Sequence, residues 1–165
     1  MLAVDRVERL FCAAIVLAGS GCGPRLDLAT ALAPQSVTTG WTDGGTVAGK
    51  HKIVPVVSFR LKNVSDRNLA AVQVNAVFRR VNDPGEWSSG FLPNVATGIP
   101  PGSETPVRTV AGQQGYTGTD DQDEMLHNSH FVDAKAELFV KAGASNWTRL
   151  GEYPVARQLL PPPSH

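Results

Sequence analysis

His127 and His130 stand three residues apart, and Asp133 follows at the same interval. Two imidazoles at that spacing share one face of a helical turn, and a nearby carboxylate could add an oxygen ligand, so the donors are those of a small transition-metal site. No H-E-x-x-H frame surrounds them, however, and an H-x-x-H pair arises readily by chance in a polar loop. The expectation is therefore two solvated histidines and no bound metal. A small metal-binding or enzymatic domain using His127, His130 and Asp133 is the alternative. Just upstream, Asp120-Asp121-Gln122-Asp123-Glu124 crowds carboxylates together, which raises calcium, a cation that takes several oxygen ligands. The spacing lacks the D-x-D-x-D-G loop pattern. The stretch reads instead as the acidic start of a helical turn over Gln122 to His127, capped by Asp120 or Asp121. Nucleophilic and phosphate chemistry find less: G-x-S-x-G, G-x-G-x-x-G and Walker patterns do not occur. These residues imply no catalytic set and no cofactor.

Binding chemistry has a better candidate in Phe139. From Ala134 to Lys141 the chain alternates, with Ala134, Ala136, Leu138 and Val140 on one face and Lys135, Glu137, Phe139 and Lys141 on the other. A large aromatic among charges is the one break in that pattern. Across a turn at Gly143 to Asn146, Trp147 could reach the same side, because cross-strand neighbours lie about 4.5–5.5 Å apart. An aromatic anchor with a charged rim is the usual make-up of a binding hot spot. The competing reading is that another strand, the tether or the lysine stems cover Phe139. Trp41, Trp87 and Trp147 each sit beside a turn and read as packing residues of a core or its rim.

Of the two cysteines, Cys12 lies inside an unbroken apolar run, Leu10 to Ala18, and Cys22 follows it. The run is too short for a spanning helix, which needs roughly 20 residues, and fits the apolar segment of a secretory leader. Arg6 and Arg9 precede it, offset by Asp5 and Glu8, and the small residues Ala18-Gly19-Ser20-Gly21 follow. Ser20-Gly21-Cys22 at the end of such a run resembles a bacterial lipoprotein signal, although Gly19 stands where that family usually carries Leu. The resemblance covers residues 1–23. It implies a leader over 1–21, cleavage before Cys22 and acylation of its thiol, and so a protein held to a membrane of the cell envelope by lipid. Gly23 after the cysteine implies, by the same resemblance, the outer membrane. An ordinary secretory leader cut after Ser20, with Cys22 left as a free thiol, and a short buried helix in a cytosolic protein are the other readings. Loss of the leader removes Cys12 and with it any disulfide within the chain, so the core must hold the fold alone.

The chain has 165 residues and is neutral, with 15 basic and 15 acidic side chains. That balance gives no electrostatic case for a nucleic-acid partner. The partners expected are the membrane, through lipid at Cys22, and an envelope protein. Residues 22–45, rich in Gly, Pro, Thr and Ala, read as a lipid-anchored tether, with one helical turn possible over Leu26 to Leu32. Residues 46–157 carry the strand signals. Val57, Phe59 and Leu61 alternate with Ser58, Arg60 and Lys62; Val72, Val74, Ala76 and Phe78 alternate with Gln73, Asn75 and Arg79. This period of two, rich in β-branched and aromatic residues, marks half-buried strands. The polar turn from Asn63 to Asn68 joins the two, and they read as a long antiparallel hairpin, with Pro55 at an edge or bulge. Asp43-Gly44-Gly45 reads as a further hairpin turn. Shorter strands are predicted near Trp87 to Leu92, Thr105 to Val110, Phe131 to Ala142 and Trp147 to Ala156. Residues 158–165, with three prolines, read as a disordered tail. The sum is an all-β fold, an antiparallel immunoglobulin-like β-sandwich of about seven strands.

Asn63-Val64-Ser65, the apolar strand to Phe78 and the later Pro101-Gly102-Ser103-Glu104 turn resemble the small immunoglobulin-like FxLYD domains of exported bacterial proteins, over about residues 55–110. Arg79-Arg80 stands where that family has Leu/Tyr-Asp. The resemblance implies a fold and carries no general catalytic set. The functional expectation is a cell-envelope lipoprotein that is not an enzyme, a binding or accessory module.

Overall fold

A computed structural model describes residues 26–162. The predicted leader and Cys22 lie outside the described residues. In chain order the elements are α1 (Leu28–Ala31), β1 (Leu32–Val47), β2 (Lys50–Asn63), β3 (Leu69–Ala70), β4 (Val72–Arg80), β5 (Ser88–Leu92), β6 (Gly98–Ile99), β7 (Arg108–Ala111), β8 (Tyr116–Gly118), α2 (Gln122–His127), β9 (Ala134–Ala142) and β10 (Thr148–Pro154). The protein is an all-β antiparallel sandwich. One sheet runs β1-β2-β7, with β8 also paired to β2; the other runs β10-β9-β4-β5; β3 and β6 form a small separate ladder.

The period-two segments are strands, but not as a hairpin. β2 pairs with β1, β7 and β8, whereas β4 pairs with β5 and β9. The turn after Asn63 therefore carries the chain from one sheet to the other, and the apolar faces of β2 and β4 meet across the core. Phe59 and Phe78 are both wholly buried in that core. Asn63 anchors the crossing. Its amide Nδ2 donates to Arg67 O and Ile99 O, both at 2.7 Å, and its Oδ1 accepts from Ser65 N at 3.0 Å and Ser65 Oγ at 2.7 Å. Every polar atom of this wholly buried side chain is engaged, which is what lets an amide sit inside at little cost.

The largest departure from the sequence reading is at the N-terminal side. The stretch expected as a tether over 22–45 enters the fold at Asp27, whose Oδ1 caps α1 by accepting from Ala29 N at 3.0 Å. It then forms most of β1, the edge strand of its sheet. Its buried residues include Thr39, Gly40 and Thr42 around Trp41, so β1 buries backbone and one large ring with few aliphatics to announce it. The β1–β2 hairpin turns at Ala48-Gly49, both with positive φ (50° and 75°), the conformation that primed two-residue turns require. Asp43-Gly44-Gly45, read as a hairpin turn, is instead a bulge within the ladder: pairing slips between Asp43 and Thr46, Asp43 Oδ1 accepts from Gly45 N, and Gly45 has φ 83°.

Pro55 lies in a central strand rather than at an edge. On its β7 side, β7 ends opposite Val56 and β8 begins opposite Ile53. The proline, with no N–H to give, faces that gap, where Pro55 O takes Gly112 N at 2.8 Å. At the C-terminal side, the unit extends past residue 157. Trp41 N donates to Gln158 O and Leu160 N to Trp41 O, with Leu159 bridged to Trp41. The expected disordered tail over 158–165 therefore begins as an ordered strap along β1.

Candidate functional site

The strand alternation of β9 holds as read: Ala134, Ala136, Leu138 and Val140 are buried, while Phe139 is half-buried on the outer face. Register places Phe91, Asn75, Phe139 and Arg149 in one row across β5, β4, β9 and β10. Trp147, just before β10, comes over the same face and meets Phe91 edge-on, with ring centroids 6.1 Å apart at 76°. Phe91 keeps 53% and Trp147 43% of their surface exposed. The two candidates of the sequence, Phe139 and Trp147, thus share a face, and the ring that Trp147 meets is Phe91. Phe91 was missed because its strand is short. Its signal was the alternation Ser89, Phe91 on a strand whose buried residues are Ser88 and Gly90.

One row away the same face is charged and tightly paired. Glu137 Oε2 accepts from Arg79 Nε at 2.7 Å, and its Oε1 from Arg149 Nε at 3.1 Å. Arg149 Nη2 also donates to Glu152 Oε2 at 2.7 Å, which Lys135 Nζ reaches at 3.2 Å. Glu137 is nearly buried. The hydrogen bond from Arg79 holds its carboxyl below the usual range; burial opposes this, and the hydrogen bond from Arg149 adds to it. Charges locked to one another in this way make a fixed border beside the rings rather than a set of free acids or bases.

The histidine candidates are not brought together as a ligand set. His127 Nδ1 lies 2.8 Å from Asp123 O on the exposed end of α2, and the backbone N of His130 donates to Asn128 Oδ1. Asp133 is taken by Arg157: its Oδ1 accepts from Nε at 2.7 Å and its Oδ2 from Nη2 at 3.1 Å, and the Arg157 hydrogen bond lowers its pKa. Among the described residues no three His, Cys, Asp or Glu side chains group as metal ligands. α2 forms where the sequence placed a helical turn, with Asp121 at its N-cap position but without a side-chain cap bond.

Arg157 also stacks on Phe131, at 5.0 Å, at the margin of an aromatic cluster. Trp41, wholly buried, packs against Phe131 (4.9 Å), Tyr116 (5.6 Å) and Trp87 (6.1 Å). These rings close the end of the sandwich that carries α2, while Trp147 lies near the other end. Of the three tryptophans, then, two are packing residues, as their positions beside turns suggested, and one stands at the surface.

The end near Trp147 is built from α1, the turn after Asn63 and the β9–β10 turn. α1 packs against β9 and β10, Gly143 N donates to Ala71 O, and Val64 N donates to Ala31 O. Between them runs a groove of about 730 Å³ lined in part by Leu26, Leu28, Leu69, Ala142 and Ser145. The chain enters the fold at its lip.

No family model matches the chain, and no curated protein matches it. Among solved structures it is similar to one described as the X-ray structure of Northeast Structural Genomics Consortium target SoR45. The two are 12% identical, with a TM-score of 0.45, over 79% of this chain and 89% of that one. A likeness of that size adds nothing to the account of fold or site.

Proposed function

We propose that the protein is a lipid-anchored, non-catalytic binding module of the cell envelope, held through acyl chains on Cys22 and presenting Phe91, Phe139 and Trp147 to a partner. The observation that carries the binding role is the Phe91–Trp147 pair. Two large rings stand in solvent against each other on the outer face of a sheet, beside a border of charges already paired among themselves. Such rings lose little conformational entropy when covered and bring much apolar area to a contact. The anchoring role rests on the leader-like run before Cys22 and on its resemblance to lipoprotein signals, with Gly23 favouring the outer membrane. The FxLYD resemblance around Asn63-Val64-Ser65 supports the same setting, a small accessory domain on the outside of a bacterial cytoplasmic membrane.

The test of the anchor is Cys22→Ser. One acyl chain binds a bilayer only marginally, so a multiply acylated cysteine is what would hold the protein stably. The variant should either accumulate with its leader uncut or appear in the soluble envelope fraction. If it is processed and fractionates with membranes as the natural chain does, the lipid anchor is wrong.

A further inference from the structure

The conversion of the expected tether into β1 has a geometric consequence for an anchored chain. Between Cys22 and Leu26 only residues 23–25 intervene, and from Asp27 onward the backbone is committed to α1 and β1. A fully extended chain spans at most about 3.6 Å per residue, so Leu26 can stand no more than about 14 Å from the Cys22 Cα. A freely hanging tether over 22–45 would have allowed several times that. The headgroup layer of one leaflet is itself about 5–8 Å thick. The end of the sandwich where Leu26 enters is therefore held at the headgroup surface whenever Cys22 carries lipid.

The side chains at that end suit the position. Trp147 follows the β9–β10 turn, with Phe91 against it, and Val64, beside α1, is 52% exposed. Tryptophan is enriched at membrane–water interfaces because its ring is apolar and its N–H is not. Lys141, on the same outer face as Phe139, has a long stem that can keep its charge in the headgroup layer while the rings go deeper. Asp27 and Asp66 at this end offset part of the positive charge, so the attraction is mainly apolar. The opposite end cannot share the contact. β2 is 14 residues long, about 45 Å at 3.3–3.4 Å per residue. That distance carries the Ala48-Gly49 turn well away from the bilayer.

We infer that the partner of the Phe91–Trp147 surface is the bilayer itself: the lipid that holds Cys22 brings this end of the sandwich down so that the two rings seat among the headgroups. The inference rests on the lipid-anchor reading above. It makes the domain a body seated on the membrane, with the α2 end directed away from it, rather than a domain swinging on a leash.

The experiment uses the full acylated chain purified from membranes and reconstituted into phosphatidylcholine–phosphatidylglycerol vesicles whose acyl chains are brominated near the headgroup. Bromine quenches tryptophan fluorescence only at near contact. Trp41 is buried and Trp87 is near the far end, so the expected quenching belongs to Trp147. It should disappear in Trp147→Phe, whose melting temperature serves as the control for folding, and should survive 1 M salt, since the seat is mainly apolar. Mass spectrometry of the N-terminal peptide from the same sample separates the two claims. Acylated Cys22 with no bromolipid quenching, or with equal quenching in Trp147→Phe, overturns this inference and leaves the anchor standing. An unmodified Cys22 overturns both. Rings buried instead in a dimer of the reconstituted protein, undone by Phe91→Ser, would assign the surface to a second copy and overturn the membrane contact.

Discussion

Replacing Asn63 with Ala should cost the domain about 3 kcal/mol. The side chain is wholly buried and makes contacts that no neighbour can replace. Its Nδ2 is the side-chain donor to Ile99 O at a buried site, and it also supplies Arg67 O. Truncation leaves the Ile99 carbonyl short of a partner, a loss of about 1–3 kcal/mol for a buried acceptor. The bonds with Arg67 and Ser65 are only part-buried, and water can replace them, so together they add roughly 1 kcal/mol. The backbone bonds, Asn63 N to Ser103 O and Gly102 N to Asn63 O, survive the change. For a domain of this size, 1 kcal/mol moves the melting temperature by about 4 °C, so a fall of about 12 °C is expected. Urea unfolding should show a lower midpoint with an unchanged slope, because the surface exposed on unfolding is the same. Asn63→Asp keeps the acceptor for Ser65 and loses both donations, while pointing a carboxylate at two carbonyls. Its folded-state pKa must then lie above its unfolded one, so the stability of this variant should recover as the pH falls toward the unfolded value and worsen above it. A loss below about 1 kcal/mol for Asn63→Ala would refute the claim that this amide holds the crossing between sheets.

Glu137 gives a pH test of the opposite sign. Its pKa is held down, so its contribution is fully present above the unfolded carboxyl value of about 4.3 and is lost as the pH falls through the lower folded value. Acid unfolding followed from about pH 6 downward should flatten over that window in Glu137→Gln; an unaltered profile would mean the Arg79 and Arg149 bonds contribute nothing. Phe78→Ala and Phe139→Ala should separate core from face. The first removes a wholly buried ring and should cost about 3–5 kcal/mol, enough to leave little folded protein. The second removes a half-buried one and should cost about 1 kcal/mol while weakening association with the partner surface. Equal losses in melting temperature would place Phe139 in the core and reverse the face assignment of β9.

The strands legible in the sequence were those with one apolar face. Val57, Phe59 and Leu61 in β2, Val72 to Phe78 in β4, and Ala134 to Val140 in β9 alternate because one side of each meets the core, and a period of two is the direct record of that. α2 was legible for a local reason as well, its acidic first turn. β1 was not, because a strand that buries Thr39, Gly40 and Thr42 around one tryptophan has the composition of a linker, and its pairing partner, β2, supplies most of the apolar contact. Of the candidate site, the outward position of Phe139 could be read from the same alternation that placed Leu138 inside.

Alternation states which side of a strand is buried and says nothing about which strand lies beside it. Hence the amino-acid sequence by itself determined that this is a β protein, which faces of β2, β4 and β9 are inner, and that Phe139 stands apart from them. Only the tertiary structure decided that β2 and β4 belong to opposite sheets, that Asn63 rather than a free turn joins them, and that Phe91 and Trp147 meet. The ring contact requires β5 and the β9–β10 turn to be set side by side through β4 and β9, and a contact between residues so distant along the chain is written in no local pattern of either segment. The same holds for the stretch from Asp27 to Gly45. Its composition suits a tether, and it is drawn into the sandwich because β2 offers a free edge whose backbone groups must be paired.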